Sequence, residues 1–396
     1  MEYEYRVRDP LGNTHEGTLD AASLEEASQQ LRRDGFQVLE IDEADADGGL
    51  LPQGISKNDV IYVTCQLAIM VDTGITLAAA LSGIVEQETN GTLRRVLADL
   101  RDKVEAGEDF SRALARYPKY FDKTYVSLVK ASEATGTLAA TLERIAEYLR
   151  KEVETRAKVR AAMAYPAVMM LLAAGVTVFL LVYILPKFTP LFQSKGTELP
   201  TPTLLMMGIS DALLGYWYLW LAGAAALLVG LMYAKRTEPG KRALDWIRIN
   251  APIVGPMVRK VTISRSIRTL GTMLRSGVPI MDAIKLAGEV SGNYYYERLW
   301  EHVLAEVTGG RRVCEVLAGN PLFPRVLVQM IASGEEAGKL DSVLERVSVY
   351  YDREVETAIK ATTSMIEPIM IAVMGVVVGT IGLALLLPIF SLSRQP

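Results

Sequence analysis

The stretch EATGTLAATLERIAEYLRKEVE occupies residues 133–154, and EEAGKLDSVLERVSVYYDREVE occupies residues 335–356. Both carry Glu, Gly, Leu, Leu, Glu-Arg, Tyr and Glu at one spacing, and both lead into a long apolar run. In the first copy Leu138, Leu142, Ile145, Leu149 and Val153 fall on one stripe at helical spacing, which predicts an amphipathic helix. No strong stop follows before Pro166, so the helix is expected to run on into the apolar segment.

The correspondence extends outward from this pair. QLAIMVDTGITLAAAL aligns with TLGTMLRSGVPIMDAI. Leu67, Met70, Gly74, Ala80, Glu86 and Gly107 meet Leu270, Met273, Gly277, Ala283, Glu289 and Gly310. After a one-residue slip, Glu133, Gly136, Leu138, Leu142, Glu143, Arg144, Tyr148, Glu152 and Pro166 meet Glu335, Gly338, Leu340, Leu344, Glu345, Arg346, Tyr350, Glu354 and Pro368. A register held this long is an internal duplication. The expectation is two tandem homologous helical bundles of about six helices, at residues 59–166 and 262–366.

Residues 161–186, 212–234 and 368–393 carry no charged side chain. A bilayer core needs about 20 apolar residues in a helix, so the expected spans are 167–186, 212–234 and 368–390. YWYLW, opening the second, supplies the amphipathic rings of a membrane interface. Lysines and arginines crowd before the first span (Arg150, Lys151, Arg156, Lys158, Arg160) and after the second (Lys235, Arg236, Lys241, Arg242, Arg248, Arg259, Lys260). The loop at 187–211 holds only Lys187 and Lys195. By the positive-inside rule both bundles and the N-terminus face the cytoplasm. The loop and the tail at 391–396 then face out, and 235–261 reads as a basic cytoplasmic linker. The opening MEYEYRVRDP has no apolar h-region, so no cleavable signal is expected.

Residues 1–41 read as a small ββαβ module: YEYRVRD and HEGTL as strands around PLGN, SLEEASQQLRRDG as a helix, FQVLEI as a third strand. An acidic linker at 42–58 follows. The fold class is thus an all-α membrane protein with a small ββαβ module at its N-terminus.

The composition opposes most chemistry. A net charge of −4 on 396 residues gives no case for nucleic acid. Cys65 and Cys314 stand alone and fit a reducing compartment. His15 and His302 are far apart, so neither a zinc site nor a catalytic triad is expected. SGEEAGKL lacks phosphate-loop spacing, and Leu340 stands where a hydroxyl would be needed. No cofactor and no enzymatic activity are expected, and energy must come from a partner.

The paired bundles, the junction AMAYPAV at 162–168, the exit ILPKF, the closing IEPIMIAVMGVVVGTIGLALLLPIF and the opening YEYRVRDPLGNTHEGTLDA resemble the type II secretion F / type IV pilus platform family. The resemblance covers essentially the whole chain. It implies a non-enzymatic inner-membrane platform coupling a cytoplasmic hexameric ATPase to extraction of pilins or pseudopilins from the bilayer. It also implies contacts with other inner-membrane assembly proteins and a homo-oligomer.

Several residues invite a role within that expectation. Glu133 and Gly136, with their counterparts Glu335 and Gly338, sit at matching corners and form either a docking rim or helix punctuation, the Glu favouring the N-terminus of the helix that follows. Glu367 stands at the mouth of the third span, either as a contact for an incoming charged N-terminus or as a headgroup-level residue. Pro166 and Pro368 are candidate hinges, since proline removes a helix hydrogen bond. Gly375, Gly379 and Gly382 have the spacing of close helix–helix packing. A small transporter or a membrane-anchored adaptor remains the alternative reading. Transporters, however, place repeats and polar residues inside the membrane.

Overall fold

A computed structural model describes residues 2–8, 14–21, 24–33, 35–43, 54–187 and 201–393. The N-terminal segment runs β1 (Glu2–Arg8), β2 (Thr14–Asp20), α1 (Leu24–Arg33), β3 (Gln37–Glu43). The strands form an antiparallel sheet in the order β2–β1–β3, with a register irregularity between Arg6 and Val7. Val7 and Leu31 are buried, so the helix closes one face of the sheet. The PLGN turn, Ser23, most of the acidic linker, and Pro190 and Pro200 of the expected outer loop lie outside the described residues.

The chain divides into two compact units, Met1–Ala146 and Glu147–Pro396. After the sheet module, the first contains α2 (Lys57–Asp72), α3 (Leu77–Gln87), α4 (Gly91–Glu105), α5 (Phe110–Leu114), α6 (Lys123–Thr135) and the start of α7 (Leu138–Phe179). Polar side chains set the helix starts. Ser56 and Asp59 cap α2 reciprocally, each side chain accepting from the other's backbone N–H, and Asn90 and Asp122 cap α4 and α6. Leu67, Leu81, Leu97, Leu114 and Leu128 fill the core. The buried Thr64 hydroxyl and Tyr125 hydroxyl satisfy each other at 3.0 Å.

The second unit holds the rest of α7, which continues through a π-helical turn at Leu180–Ile184. It then runs α8 (Thr201–Gly215), α9 (Trp217–Arg236), α10 (Glu238–Asn250), α11 (Gly255–Arg275), α12 (Ile280–Ser291), α13 (Tyr294–Thr308), α14 (Val313–Leu317), α15 (Arg325–Glu336) and α16 (Leu340–Ser393). The succession α11–α16 reproduces α2–α7, and the backbone repeats in detail. Left-handed glycines fall at matched corners: Gly74 (φ 88) with Gly277 (φ 78), Gly107 (φ 84) with Gly310 (φ 90), Gly136 (φ 67) with Gly338 (φ 63). Side chains rarely tolerate that conformation, so the duplicated glycines mark duplicated turns. In this core Trp300 packs edge-on against Phe323, ring centres 5.7 Å apart. The absent side chain of Gly271 lets α16 approach α11, since a Cβ there would lie 3.2 Å from that of Leu344.

Three helical stretches are long and apolar enough to cross a membrane: Leu138–Lys187, Trp217–Arg236 and Leu340–Ala384. Their most apolar windows are only 11%, 0% and 6% buried within the chain, so their apolar faces await lipid or another protein. The first and third are continuous with bundle helices.

Two sequence expectations need correction. The outer loop is helical over Thr201–Gly215: Pro202 sits in its first turn, where a missing N–H costs nothing. This helix, α8, packs Met206, Met207 and Leu213 against Leu181, Leu185 and Ile381, and its Thr203 and Ser210 hydroxyls donate to the Ala384 and Leu181 carbonyls at 2.7 and 2.6 Å. The second span consequently starts at Trp217, after a break at Tyr216. The basic linker is also ordered: α10 and the first turns of α11 occupy it, and its charges line helices.

Leu344 is fully buried in the α11–α16 seam. Leu344→Ala is expected to cost about 2–5 kcal/mol, read as a lower thermal midpoint of the detergent-solubilised chain. A loss below about 1 kcal/mol would mean that the seam is not closely packed.

Candidate coupling site

At the Glu-Gly corners the glycines end α6 and α15 in left-handed geometry. Thr137 N–H donates to Ser132 O at 3.1 Å and Lys339 N–H to Gly334 O at 2.9 Å, matched bonds of one capping motif. The glutamates do something the sequence reading misassigned. The Glu133 carboxylate accepts from the Ser111 N–H at 3.0 Å, and Glu335 accepts from Val313 and Cys314 N–H at 2.7 and 2.8 Å. Each therefore caps the short helix before it, α5 or α14, rather than the helix that follows. Those backbone donors are otherwise orphaned, and a carboxylate beside them also meets the positive end of the peptide dipoles. Burial, aided by Glu335, pushes the Cys314 thiol up to about 11, so it stays protonated at neutral pH.

The second unit carries a denser constellation where α7, α11 and α16 meet before their apolar runs. Met257, Val355, Ala358 and Ile359 form an apolar cluster, with Val159 and Ala162 of α7 packed against it. Above it lies a layer of charge. Lys260 pairs with Glu354 at 2.6 Å, and Lys158 pairs with Glu356. Asp352 takes the Ser264 hydroxyl at 2.8 Å and the Arg268 guanidinium. Glu152, buried on α7, pairs with Arg156. Burial pulls the Arg265 guanidinium below its ordinary value, and Glu152 opposes that effect. Hydrogen bonds from Lys260 and Lys158 hold the Glu354 and Glu356 carboxyls below the usual carboxylate value.

Sequence reasoning noted the charge density of this run but not its partners. Lys260, Ser264 and Arg268 share one face of α11 but are separated from their partners Glu354 and Asp352 by most of the second repeat, and periodicity within one helix does not reveal such partners. A second missed residue is Asp245. Buried on α10, it accepts from the Tyr294 N–H at 2.9 Å and so caps α13.

The remaining candidates lie just beyond the apolar cluster. Pro166 is buried and Pro368 exposed, so the two matched prolines have unlike surroundings. Both stand inside unbroken helical assignments. Glu367 is exposed. A Cβ at Gly375, Gly379 or Gly382 would meet nothing within 4 Å, so among the described residues no helix lies against them. Among the described residues no three His, Cys, Asp or Glu side chains group as a metal site.

Two outcomes follow from this geometry. Glu335→Ala, which strips two backbone bonds, is expected to destabilise the chain by about 1–3 kcal/mol, and Glu133→Ala, which strips one, by less. Equal midpoints in chemical denaturation for both variants and the parent would remove the capping role. For the charge layer, carboxyl values held below 4.5 stabilise the fold above that pH, and the contribution is lost as pH falls through the lowered values. Both pairs are largely solvated, so the effect is modest. The thermal midpoint should fall between about pH 5 and pH 3, and the double variant Lys260→Met, Lys158→Met should show a shallower fall.

Comparison with known proteins agrees with the duplication. The family model of type II secretion system (T2SS) protein F matches this chain twice, at residues 63–186 and 266–388. The model of that protein's N-terminal domain matches residues 1–42. The type IV pilus assembly protein PilC of Thermus thermophilus is 36% identical over 397 residues, covering 98% of each chain. Its namesake from Myxococcus xanthus is 34% identical over 396 residues, covering 99% of this chain and 95% of the relative. The type II secretion system protein F of Pseudomonas aeruginosa is 31% identical over 399 residues, covering 99% and 98%. With two copies of the family's domain, its N-terminal module and relatives aligned end to end, the chain belongs to the type II secretion system protein F family.

Proposed function

We propose that this chain is the inner-membrane platform of a type II secretion or type IV pilus machine, on which pilin-like subunits are assembled. The observation that carries the reading is the continuity of α7 and α16. Each begins in a helical bundle and runs on, unbroken, into an apolar stretch long enough to span a bilayer. A displacement imposed on a bundle helix is thereby delivered into the membrane through continuous helix, with no loop between bundle and span. The names of the relatives, which concern pilus assembly and type II secretion, point the same way.

In this reading a cytoplasmic hexameric ATPase docks on the bundles, and the three-helix knot around Met257 and Ile359 holds the two rods together where they enter the bilayer. Both bundles and the N-terminus face the cytoplasm and the C-terminus the periplasm, as the lysine and arginine distribution requires. Glu133, Gly136, Glu335 and Gly338 keep the bundle corners rigid, and a docking role for them rests on the exposed sides of those corners. Glu367 offers a carboxylate at the membrane mouth to the charged N-terminus of an incoming subunit. Pro166 and Pro368, each lacking one helix hydrogen bond, let the rods flex below the knot. Gly375, Gly379 and Gly382 present an open, small-residue face on the third span.

The test is retention of the host's cytoplasmic ATPase and pilin-like proteins by the solubilised full chain, with and without ATP. The expected result is motor retention that is lost when the bundle surfaces are altered. Retention of neither partner, even after crosslinking in intact membranes, would overturn the platform role. Pro166→Ala with Pro368→Ala is expected to slow filament assembly while leaving motor retention intact; normal assembly would remove the hinges.

A further inference from the structure

The internal duplication contains an interface that one chain completes only once. In the second repeat α11 is covered on two sides. Its own α16 lies along Lys260, Ser264, Arg268 and Gly271. A separate stripe, through Arg265 and Thr269, meets α7, the last helix of the preceding repeat. There the Tyr148 hydroxyl lies 3.2 Å from the Thr269 hydroxyl, Tyr148 is only 5% exposed, and Glu152 acts on Arg265.

The repeat register carries this stripe onto α2. Arg265, Thr269 and Thr272 become Tyr62, Gln66 and Ile69, at spacings that share one helix face. Among the described residues that face is largely exposed. Tyr62 is 63% exposed and Ile69 is 66% exposed, in a helix whose opposite side, at Val63 and Leu67, is buried. The covering element has a counterpart too. Tyr148 of α7 corresponds to Tyr350 of α16, and Glu147 to Val349. Tyr350 is 46% exposed and Val349 51% exposed. The apolar surface of each half of the internal joint therefore recurs, exposed, at the other end of the repeat series, although Glu354, the counterpart of Glu152, already pairs with Lys260 within the chain. At the first recurrence the chain has exchanged charge for apolar surface, with Tyr62 in place of Arg265; at the second, Val349 stands exposed beside Tyr350. A tyrosine, an isoleucine and a valine left in water gain free energy when they leave it.

We propose that a second copy of this chain closes the joint: the Val349–Tyr350 face of α16 in one copy packs on the Tyr62–Gln66–Ile69 stripe of α2 in the next, as α7 packs on α11 within one chain. The contact is heterologous, two different surfaces meeting head to tail, so it generates a ring or an open row rather than an isolated twofold pair. Because every copy keeps its spans in one bilayer, the rotation relating neighbours runs about the membrane normal. The inference does not rest on the platform role and stands or falls separately from it.

The test uses the full chain in membranes, with Cys65→Ser and Cys314→Ala. One copy carries Ile69→Cys and one epitope tag; the other carries Tyr350→Cys and a second tag. After oxidation with copper phenanthroline, the expected product is a disulfide-linked species bearing both tags. A single chain carrying both cysteines should give a ladder or one ring-sized band. Val326→Cys on α15, at an exposed position off the stripe, is the control and should not pair with position 69. Product only between like positions would mean a twofold interface and overturn the proposal, as would no product at all. Independently, Ile69→Glu or Tyr350→Glu should weaken self-association about tenfold in sedimentation of the detergent-solubilised protein at unchanged helicity. Unaltered association in both variants, or a parent that is monomeric throughout, would also overturn it.

Discussion

The structure depends on a constraint imposed by lipid. In a bilayer core no water is available to satisfy backbone N–H and C=O groups, so the chain crosses as hydrogen-bonded helix. Here the first and third crossings are extensions of α7 and α16, helices already committed to the bundles. Bundle helix and apolar span thus share one continuous backbone. The connection at the second span is different. It ends at Arg236, Thr237 turns the chain in extended conformation, and α10 begins at once. That span leads, through α10, into the second repeat.

Two continuous rods need to be held where they leave the bundles. The knot does this with apolar contact and paired charge, each covering the other's weakness. The cluster of Met257, Val355, Ala358 and Ile359 removes apolar surface from water but has little directional preference. The pairs Lys260–Glu354, Lys158–Glu356 and Arg268–Asp352 add little net energy where they are exposed, yet they fix which helix faces meet. Below the knot, no charged side chain appears again in the third span after Glu367. The uncharged run of the third candidate span therefore begins only after Glu367, beyond the paired charges and the apolar cluster.

The duplication turns a small set of local devices into a general plan. The same left-handed glycines end the same helices, and the same glutamates reach back to cap the same short helices. Where the copies diverge, the divergence tracks environment. The α11 stripe that meets α7 is polar, with Arg265 and Thr269, while its α2 counterpart is apolar and uncovered, with Tyr62 and Ile69. A stripe buried inside one chain keeps polar groups that find partners there, while its counterpart on α2 carries exposed apolar surface.

By itself the sequence determined the repeat, the positions of the apolar spans and the glycine corners. These are one-dimensional signals: a period, a run length, and a residue whose missing side chain permits a left-handed turn. It did not determine that residues 201–215 are helical. Prolines and a short distance between spans favoured a loop, and only packing against Leu181, Leu185 and Ile381 gives that helix a surface to lie on. Nor did it reveal the targets of Glu133 and Glu335, or the union of Lys260, Ser264, Arg268 and Asp352. Those contacts join residues far apart along the chain, and tertiary structure alone brings a carboxylate within reach of a distant backbone donor or guanidinium.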